Sequence, residues 1–313
     1  MAHADSKLRR GDLVEVKSAE EILQTLDPDG TLDQLPFMPE MVEFCGKTFR
    51  VATRVLKTCY YGETNGMRKF RADDVVILEG VRCSGADHEG CQKACMIFWR
   101  EAWLRRSSGD GEPRSVNDSQ LAKLRGHLKT TKGPNKYFCQ AGEILNATTD
   151  LSKSDRISKC FAEVRVGNCS SFEMTKRITS WLFWRSRRML LGDYARGNNS
   201  KTPAESLHLK SGELVEVKSV GSISETLDNR AHNRGLYFTP DMRNLCGQRH
   251  QVERKLEKII VDGTGEMRTM RNTVYLKDGM CGCTYALGGC PRGEFSYWRE
   301  IWLKRMPASP TRD

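Results

Sequence analysis

The sequence predicts a mainly β fold with α insertions, in which two copies of one small barrel module are joined by a partly helical middle segment. Two observations support this prediction. The 39 positions from Leu8 to Gly46 align without a gap to those from Leu209 to Gly247, and 18 of them are identical. In both copies, short runs of β-branched and aromatic residues are separated by glycine-rich turns, which is typical of short strands.

Each copy opens with a strand that starts at a glycine turn. Gly11–Ser18 reads GDLVEVKS and Gly212–Ser219 reads GELVEVKS, so apolar and charged side chains alternate as they do in a half-buried strand. Helical spacing follows over Ala19–Leu26, and Pro39–Phe44 predicts one further helical turn.

The remaining strands complete a small sheet in each copy. They are predicted at Thr48–Thr58, Arg68–Leu78 and Met96–Leu104, with a turn at Gly62–Gly66, and at Gln251–Val261 and Met270–Leu276 in the second copy. Five short strands with a helical insert predict a barrel of the SH3-like type. A flattened sheet covered by the insert has the same periodicity.

The sequence divides into three segments. Residues 1–106 are the first barrel module with its Cys/His loop, 107–207 are a basic and partly helical middle segment, and 208–313 are the second barrel module. Linkers are predicted at Ser107–Pro113 and Gly197–Pro203 from their Gly, Ser, Asn and Pro content. Of the formal net charge of +10, Ser107–Ser206 supply +7, from 17 Lys and Arg against 10 Asp and Glu.

Composition predicts a soluble, cytoplasmic protein. Hydrophobic residues make up 38% of the chain and charged residues 29%. No stretch approaches the run of about 20 apolar residues that a membrane helix needs. The segment Met1–Arg10 is polar and lacks the apolar core of a secretory signal.

Twelve cysteines are many for a protein of a reducing compartment. Disulfide frameworks are uncommon there, so metal ligation is the leading interpretation. Four isolated cysteines are interpreted as small buried hydrophobes: Cys59, Cys139, Cys160 and Cys169.

One loop in each copy places cysteines at the spacing of metal ligands. Zinc prefers four nitrogen or sulfur ligands on a tetrahedron. We therefore predict zinc sites formed in the first copy by Cys45, Cys83, Cys91 and either Cys95 or His88, and in the second by Cys246, Cys281, Cys283 and Cys290. The alternatives are an iron or iron–sulfur centre, and cysteines that are buried without a ligand or form disulfides.

A catalytic interpretation of the thiols stays open. His88 could act as a base towards Cys91, although the second copy has Leu287 at the position of His88. The sequence has no phosphate loop, dinucleotide-binding glycine motif, Gly-x-Ser-x-Gly elbow or His-Glu-x-x-His helix. It therefore names no catalytic residue and does not decide whether the protein is an enzyme.

Two further motifs have a structural and a functional interpretation. Trp-Arg-Glu-x-Trp-Leu occurs at Trp99–Leu104 and Trp298–Leu303. We interpret its tryptophans as core residues and its Arg and Glu as a local ion pair. The alternative is stacking on a base or sugar, with the Arg on a phosphate.

The middle segment contains a basic helix over Phe172–Leu191. Its residues Arg185, Arg187 and Arg188 are candidates for binding an anionic polymer or a membrane surface. An amphipathic helix more often packs its Trp and Leu side inward and leaves its Arg side in water.

The motif set resembles a known family. GDLVEVKS, FMPEM at Phe37–Met41 followed by Cys45, the Cys83–Cys95 loop and FWREAWL at Phe98–Leu104 resemble a family of uncharacterised bacterial proteins, often met beside polysaccharide or secondary-metabolite biosynthesis genes. The resemblance covers nearly the whole chain and implies no activity. Gly11–Val51 is also similar to the small barrel of the nitrile hydratase β subunit and related ribosomal-type barrels, which favours the barrel prediction.

These observations predict a metal-stabilised accessory or binding protein of a cytoplasmic biosynthetic pathway, with a protein partner or a small-molecule ligand. The first alternative is a metal- or thiol-dependent biosynthetic enzyme that uses Cys83, His88, Cys91 and Cys95. The second is a nucleic-acid-binding protein that uses the basic middle helix.

Overall fold

The structure is a computed structural model that describes residues 7–61, 65–107, 117–283 and 286–307. The predicted linker Ser107–Pro113 and the predicted turn Gly62–Gly66 lie mainly outside these residues. The protein is mainly β with helical insertions, as predicted. No helix of the described chain has the length and apolar character required to cross a membrane.

The first copy is built on a five-stranded antiparallel sheet. The strands of the first copy and the middle segment are β1 (Leu13–Val16), β2 (Thr31–Leu32), β3 (Leu35–Pro36), β4 (Thr48–Arg54), β5 (Thr58–Tyr61), β6 (Asn65–Phe70), β7 (Val75–Arg82), β8 (Met96–Arg100), β9 (Leu104–Arg106), β10 (Thr131–Gly133), β11 (Lys136–Tyr137) and β12 (Thr148–Asp150). The sheet order is β8-β7-β4-β1-β9, and β12, β6 and β5 form a second sheet.

The second copy has a sheet of the same order. Its strands are β13 (Leu214–Val217), β14 (His232–Asn233), β15 (Leu236–Tyr237), β16 (Arg249–Lys255), β17 (Lys258–Ile260), β18 (Met267–Thr269), β19 (Thr273–Leu276), β20 (Trp298–Arg299) and β21 (Leu303–Arg305). The order β20-β19-β16-β13-β21 matches that of the first copy strand by strand. The register matches too, because Leu13 pairs with Arg50 where Leu214 pairs with Gln251.

Helices connect and cover these sheets. They are α1 (Ala19–Leu23), α2 (Asp118–His127), α3 (Ile144–Ala147), α4 (Lys153–Arg165), α5 (Ser171–Leu191) and α6 (Val220–Ser224), with 3-10 helices at Pro39–Phe44, Glu101–Trp103, Pro240–Leu245 and Glu300–Trp302. A capping box starts α1, since the Ser18 hydroxyl accepts from the Glu21 backbone while the Glu21 carboxylate accepts from the Ser18 backbone. The strand predicted over Met96–Leu104 is interrupted by the 3-10 turn Glu101–Trp103.

The tryptophans of the repeated motif fill the core, which confirms their predicted role. Trp99, Trp103, Trp298 and Trp302 are fully buried. The indole of Trp103 donates to the Thr25 hydroxyl over 3.1 Å, and Trp302 makes the equivalent bond to Thr226 over 3.0 Å. The second tryptophan of each motif therefore has its N–H satisfied in the same way in both copies, whereas the buried Nε1 atoms of Trp99 and Trp298 have no hydrogen-bond partner among the described residues.

The predicted ion pair within the motif is wrong. Arg100 Nη1 lies 2.6 Å from Asp74 Oδ1, and Glu101 Oε1 lies 2.7 Å from Arg54 Nη1. Arg100 ends β8 and Glu101 begins the 3-10 turn, so their side chains leave the backbone in different directions. Each side chain therefore finds a partner that is distant in sequence.

The described chain forms two compact units that do not coincide with the two copies. The first unit contains the described residues up to Thr175 together with Ile260–Arg268 and Cys290–Arg292. The second contains Lys176–Ile259, Thr269–Gly289 and the described residues from Gly293 onward. The first unit therefore includes a hairpin segment and a short loop that belong to the second copy.

Candidate functional site

Four cysteines of the first unit line one small cavity. Cys83, Cys91 and Cys95 come from the loop between β7 and β8, and Cys139 comes from the segment before α3. The cavity has a volume of about 20 Å³, which suits a single water-sized occupant. The side chains Met38, Ala141 and Ile260 complete its wall.

The loop between β7 and β8 is closed by its own backbone. The Cys83 N–H donates to the Cys95 carbonyl over 2.9 Å, and the Gly90 N–H donates to the Gly85 carbonyl over 2.9 Å. Gly85 has φ +69°, and a Cβ atom there would lie 2.0 Å from the Cys91 carbonyl oxygen. Only glycine therefore permits the approach that turns Cys91 towards the cavity.

Backbone N–H groups donate to the sulfur atoms. The Gly142 N–H lies 3.4 Å from Cys139 Sγ, and the Ile260 N–H lies 3.3 Å from Cys91 Sγ. Such bonds favour the thiolate form of a cysteine. The segment Cys139–Gly142 thus brings a thiol to the cavity together with its own N–H donor. The sequence interpretation of Cys139 as an isolated small hydrophobe missed this placement.

Burial keeps the thiols of Cys83 and Cys139 protonated in the absence of a cation. It raises the pKa of Cys139 to about 12. Burial and the nearby charge of Glu40 also raise the pKa of the Cys83 thiol. A coordinated metal ion reverses this preference, because it removes the proton from a thiol ligand. Among the described residues around the cavity, no three sulfur atoms lie within 4.8 Å of one another, so an ion would draw them inward.

His88 lines the same cavity but directs both ring nitrogens elsewhere. Its Nδ1 lies 2.6 Å from Glu40 Oε1, and its Nε2 lies 3.0 Å from the Phe138 carbonyl. Burial lowers the pKa of His88, but the hydrogen bond and charge of Glu40 outweigh it and raise that pKa above its usual value. Both ring nitrogens face acceptor oxygens, so in this arrangement neither is directed at a metal in the cavity.

Cys45 does not line this cavity. It follows the 3-10 helix Pro39–Phe44 and is buried in the hydrophobic core. The predicted ligand set with Cys45 stays a prediction, and the structure places Cys139 at the cavity that Cys83 and Cys91 share.

The predicted cysteines of the second copy are distributed between the two units. Cys281 Sγ and Cys283 Sγ lie 3.6 Å apart in the second unit, together with Cys246, whereas Cys290 belongs to the first unit. The Cys281 N–H donates to the Glu294 carbonyl over 2.7 Å. This bond repeats the loop closure made by Cys83 and Cys95.

Cys59 and Cys290 form a second thiol contact in the first unit. Their sulfur atoms lie 3.0 Å apart, and the Cys59 N–H donates to Cys290 Sγ over 3.3 Å. Sulfur atoms at this separation can share a metal ion. The sequence gives no sign of the contact, because 231 positions separate the two residues.

A buried charge cluster lies beside this thiol pair. Arg292 Nη1 lies 2.6 Å from Asp262 Oδ2 and also donates to the Cys59 carbonyl over 3.1 Å, while Lys93 Nζ pairs with Asp262 Oδ1. Burial alone would raise the pKa of Asp262, but Arg292 and Lys93 lower it to about 2. Asp262 is therefore a shared counter-ion of two buried cations, Lys93 and Arg292.

Helix α5 buries Trp184 and exposes Leu182 and Leu190. Trp184 is buried against Tyr194, with ring centroids 5.1 Å apart, and Arg243 stacks on it at 4.9 Å. Leu182 and Leu190 are exposed. The expectation that the Trp and Leu side packs inward therefore holds for Trp184 and is wrong for these leucines.

The predicted polyanion-binding arginines lie along the same helix. Arg188 Nε lies 3.0 Å from Asp193 Oδ1, and Arg187 donates to the Gly192 carbonyl over 3.2 Å. Arg185 is exposed and stacks on Trp181 at 5.4 Å. Arg187 and Arg188 thus already have polar partners within the second unit, and Arg185 has an aromatic one.

Comparison with known proteins gives no relative. No family model, curated protein or solved structure matches this chain. The resemblance to a bacterial family therefore stays a prediction, and function has to be inferred from the chemistry of the site.

Proposed function

We propose that the protein is a metal-stabilised binding protein in which one structural zinc ion is held by Cys83, Cys91, Cys95 and Cys139. One observation carries this proposal: four thiols from two distant segments converge on a water-sized cavity. A structural zinc ion takes four ligands on a tight tetrahedron, and four thiolates form one of its common ligand sets.

The charges around the cavity favour an anionic metal centre. Zinc with four thiolates carries a net charge of −2. Lys93 lines the cavity, and backbone N–H groups donate to the sulfur atoms of Cys91 and Cys139. The Lys93 ammonium and these N–H donors offset charge that burial would otherwise disfavour.

A structural role explains the site better than a catalytic one. Four protein ligands leave no open position for a substrate, and the cavity has no room for one. Both nitrogens of His88 are engaged, so no base is directed at a thiol. The metal would instead join the loop between β7 and β8 to the segment before α3.

We also infer that each five-stranded sheet is an SH3-like barrel. In both copies the strand that ends in the motif arginine, β8 or β20, is followed by a 3-10 turn. The next strand along the chain, β9 or β21, then pairs with the opening strand of its copy, β1 or β13. The place of the protein in a cytoplasmic biosynthetic pathway is a proposal supported by the resemblance alone.

Metal analysis tests the zinc proposal. The purified full chain is expected to contain about one zinc ion per molecule, and cobalt substitution should give the intense visible absorption of a tetrahedral thiolate site. Cys139→Ser should lose the metal and unfold more easily by several kcal/mol, roughly the loss expected when a structural metal is removed. Metal content and urea unfolding measure both effects.

Cys45→Ser is the matched control, because Cys45 is buried but does not line the cavity. It should keep its zinc. Loss of zinc in Cys45→Ser with full retention in Cys139→Ser would contradict the proposal and support the ligand set predicted from spacing. A coloured iron centre in the purified protein would overturn the choice of zinc.

A second candidate function is binding to an anionic bilayer surface through helix α5. Four large apolar residues of this helix have between 49% and 81% of their side chains exposed: Leu182, Phe183, Met189 and Leu190. At 3.6 residues per turn they lie with Thr179 and Ser186 within an arc of about 120° that carries no charge. We call this arc the apolar face of α5.

Cations border the apolar face on both sides. Arg185 lies beyond Met189 on one side, and Lys176 and Arg187 lie beyond Phe183 on the other. A second copy of the chain would bring these like charges together, and a nucleic acid would leave the apolar residues in water. An anionic lipid surface matches both the face and its borders.

A further inference from the structure

Comparison of the two copies reveals a reversal of charge around one buried arginine. In the first copy, Arg100 is fully buried and lies 2.6 Å from Asp74 and 3.4 Å from Asp33. In the ungapped alignment the position of Asp33 is taken by Arg234, and in the repeated Trp-Arg-Glu-x-Trp-Leu motif Arg299 takes the position of Arg100.

The position of Asp74 is taken by Asn272. The carbonyl of Asp74 accepts from the Glu101 N–H over 2.8 Å, and the carbonyl of Asn272 accepts from the Glu300 N–H over 2.9 Å. This shared bond establishes that Asp74 and Asn272 are equivalent. Both carboxylates that neutralise the buried arginine in the first copy are therefore absent from the second.

Arg299 is held by neutral acceptors. Its Nη1 donates to the Arg271 carbonyl over 2.8 Å and to the Thr273 hydroxyl over 2.9 Å, and its Nη2 donates to the Arg234 carbonyl over 2.9 Å. Its Nε donates to the Asn233 carbonyl over 3.3 Å. Within the described chain, no carboxylate lies within 4.0 Å of its guanidinium. Burial and the charge of Arg234 both lower the pKa of Arg299.

A pocket of about 170 Å³ opens over this arginine in the second unit. Arg299 is 8% exposed and forms part of the pocket lining, together with the exposed residues Arg234 and Arg271 and the half-buried Asn272. Glu205 also lines it, but its carboxylate lies 3.5 Å from Lys218 Nζ. We call this site the arginine pocket.

We propose that the arginine pocket binds a tetrahedral oxyanion, either inorganic phosphate or the phosphoryl group of a small molecule. The guanidinium groups of Arg234 and Arg271 offer charge and planar pairs of donors, which suit the oxygen atoms of a phosphoryl group. Arg299 adds its charge and the one N–H of Nη2 that its protein acceptors leave over. The pocket is smaller than the roughly 300–1,000 Å³ of most sites for drug-sized ligands, so it suits a compact anion. The bound anion takes the place of the carboxylates of Asp33 and Asp74 in the first copy.

Calorimetric titration of the full chain with inorganic phosphate, sulfate, acetate and glycerol 3-phosphate tests this proposal. Saturable binding of phosphate and sulfate, and weaker binding of acetate, are expected. Tighter binding of glycerol 3-phosphate than of phosphate identifies a phosphorylated small molecule as the ligand, and the opposite order identifies the free anion.

Asn272→Asp restores the carboxylate of the first copy and should compete with the ligand. We expect it to lower phosphate affinity at least about tenfold, roughly the effect of one hydrogen bond to a charged group, and to raise the melting temperature in phosphate-free buffer. Asn244→Asp is the matched control, because it adds the same charge to an exposed residue of the second unit. It should leave the affinity unchanged.

Three results would overturn the proposal. The first is no saturable phosphate binding by the wild type. The second is equal phosphate affinity in Asn272→Asp and the wild type, and the third is acetate binding as tight as that of phosphate. Arg271→Gln, which changes an exposed side chain, provides a second variant if Asn272→Asp does not fold. Phosphate affinity in Arg271→Gln equal to that of the wild type would likewise exclude the pocket.

Discussion

Individual residues of the same type have different roles in this protein because their partners differ. Arg100 is neutralised by carboxylates, whereas Arg299 relies on carbonyl groups. Cys139 lies among other thiols, whereas Cys45 lies in an apolar core. Burial amplifies these differences, since an unpaired charge or a free thiolate is costly away from water.

Asp262 gives a prediction at this scale. Asp262→Asn removes the counter-ion of two buried cations, Lys93 and Arg292. We expect a loss of about 3–5 kcal/mol in the free energy of unfolding at pH 7, the cost of leaving buried charges unpaired. Urea unfolding measures the loss. Asp150→Asn is the control, because its pair with Arg68 is exposed on the Asp150 side, and it should change stability little.

The same residue predicts an acid dependence of stability. Its pKa is depressed to about 2 in the folded protein, below the ordinary value of about 3.9. The contribution of Asp262 is therefore present above about pH 4 and is lost as the pH falls through about 2. The stability gap between the wild type and Asp262→Asn should narrow over that interval. A gap that is independent of pH would contradict an ionised Asp262.

At the scale of elements, local sequence patterns identify helices and strands better than they identify what those elements contact. The helix predicted over Phe172–Leu191 is observed as Ser171–Leu191. Its hydrophobic spacing, however, does not distinguish a face that packs on the protein from a face that remains exposed. The loop between β7 and β8 is a second example. Its glycines indicate turns, but they do not show that Gly85 lies against the backbone of Cys91.

Helix α5 gives the prediction at this scale. The full chain should sediment with vesicles of phosphatidylcholine that contain phosphatidylserine and bind weakly to vesicles of phosphatidylcholine alone, with binding that falls as salt rises. Leu190→Asp should lower binding at least about tenfold, because it places a charge on the apolar face.

Leu191→Asp is the matched control. Leu191 is exposed, but it lies about 100° from Leu190 around the helix axis and therefore outside the apolar face. It should bind nearly as the wild type does. Equal losses in both variants, or no vesicle binding by the wild type, would reject the bilayer as the occupant. A dimer in solution that Leu190→Asp dissociates would identify the face as a contact between copies of this chain.

At the scale of the whole molecule, the two copies depend on each other. The first unit is completed by residues of the second copy: Ile260 donates to Cys91, and Asp262 pairs with Lys93. Cys290 contacts Cys59 in the same unit. Cys91 of the first loop and Cys290 of the second thus each accept a backbone N–H from a hairpin of the other copy.

This exchange predicts that the first copy is unstable alone. A fragment of residues 1–207 lacks Ile260, Asp262 and Arg292, so Lys93 would be buried without its counter-ion. It should melt at a lower temperature and with lower cooperativity than the full chain, as measured by circular dichroism. Addition of the fragment 208–313 should restore the transition. A fragment 1–207 that melts like the full chain would contradict the mutual dependence.

The candidate site was predictable in part. Spacing pointed to the loop with Cys83, Cys91 and Cys95, and the structure places these three cysteines around one cavity. Spacing could not connect Cys139 with them, because a cysteine 44 positions beyond Cys95 has no spacing signature. Spacing also could not show that His88 Nδ1 is hydrogen-bonded to Glu40. That bond depends on how the loop packs on the 3-10 helix Pro39–Phe44.

The sequence by itself determined the repeat, the opening strand of each copy and the burial of the motif tryptophans, because these follow from local periodicity and internal comparison. Only the tertiary structure decided which thiols meet, which buried charges are neutralised and which side of α5 remains exposed. The physical reason is that sulfur contacts and ion pairs depend on distances of a few ångströms between residues far apart in sequence. Packing of the whole chain sets those distances.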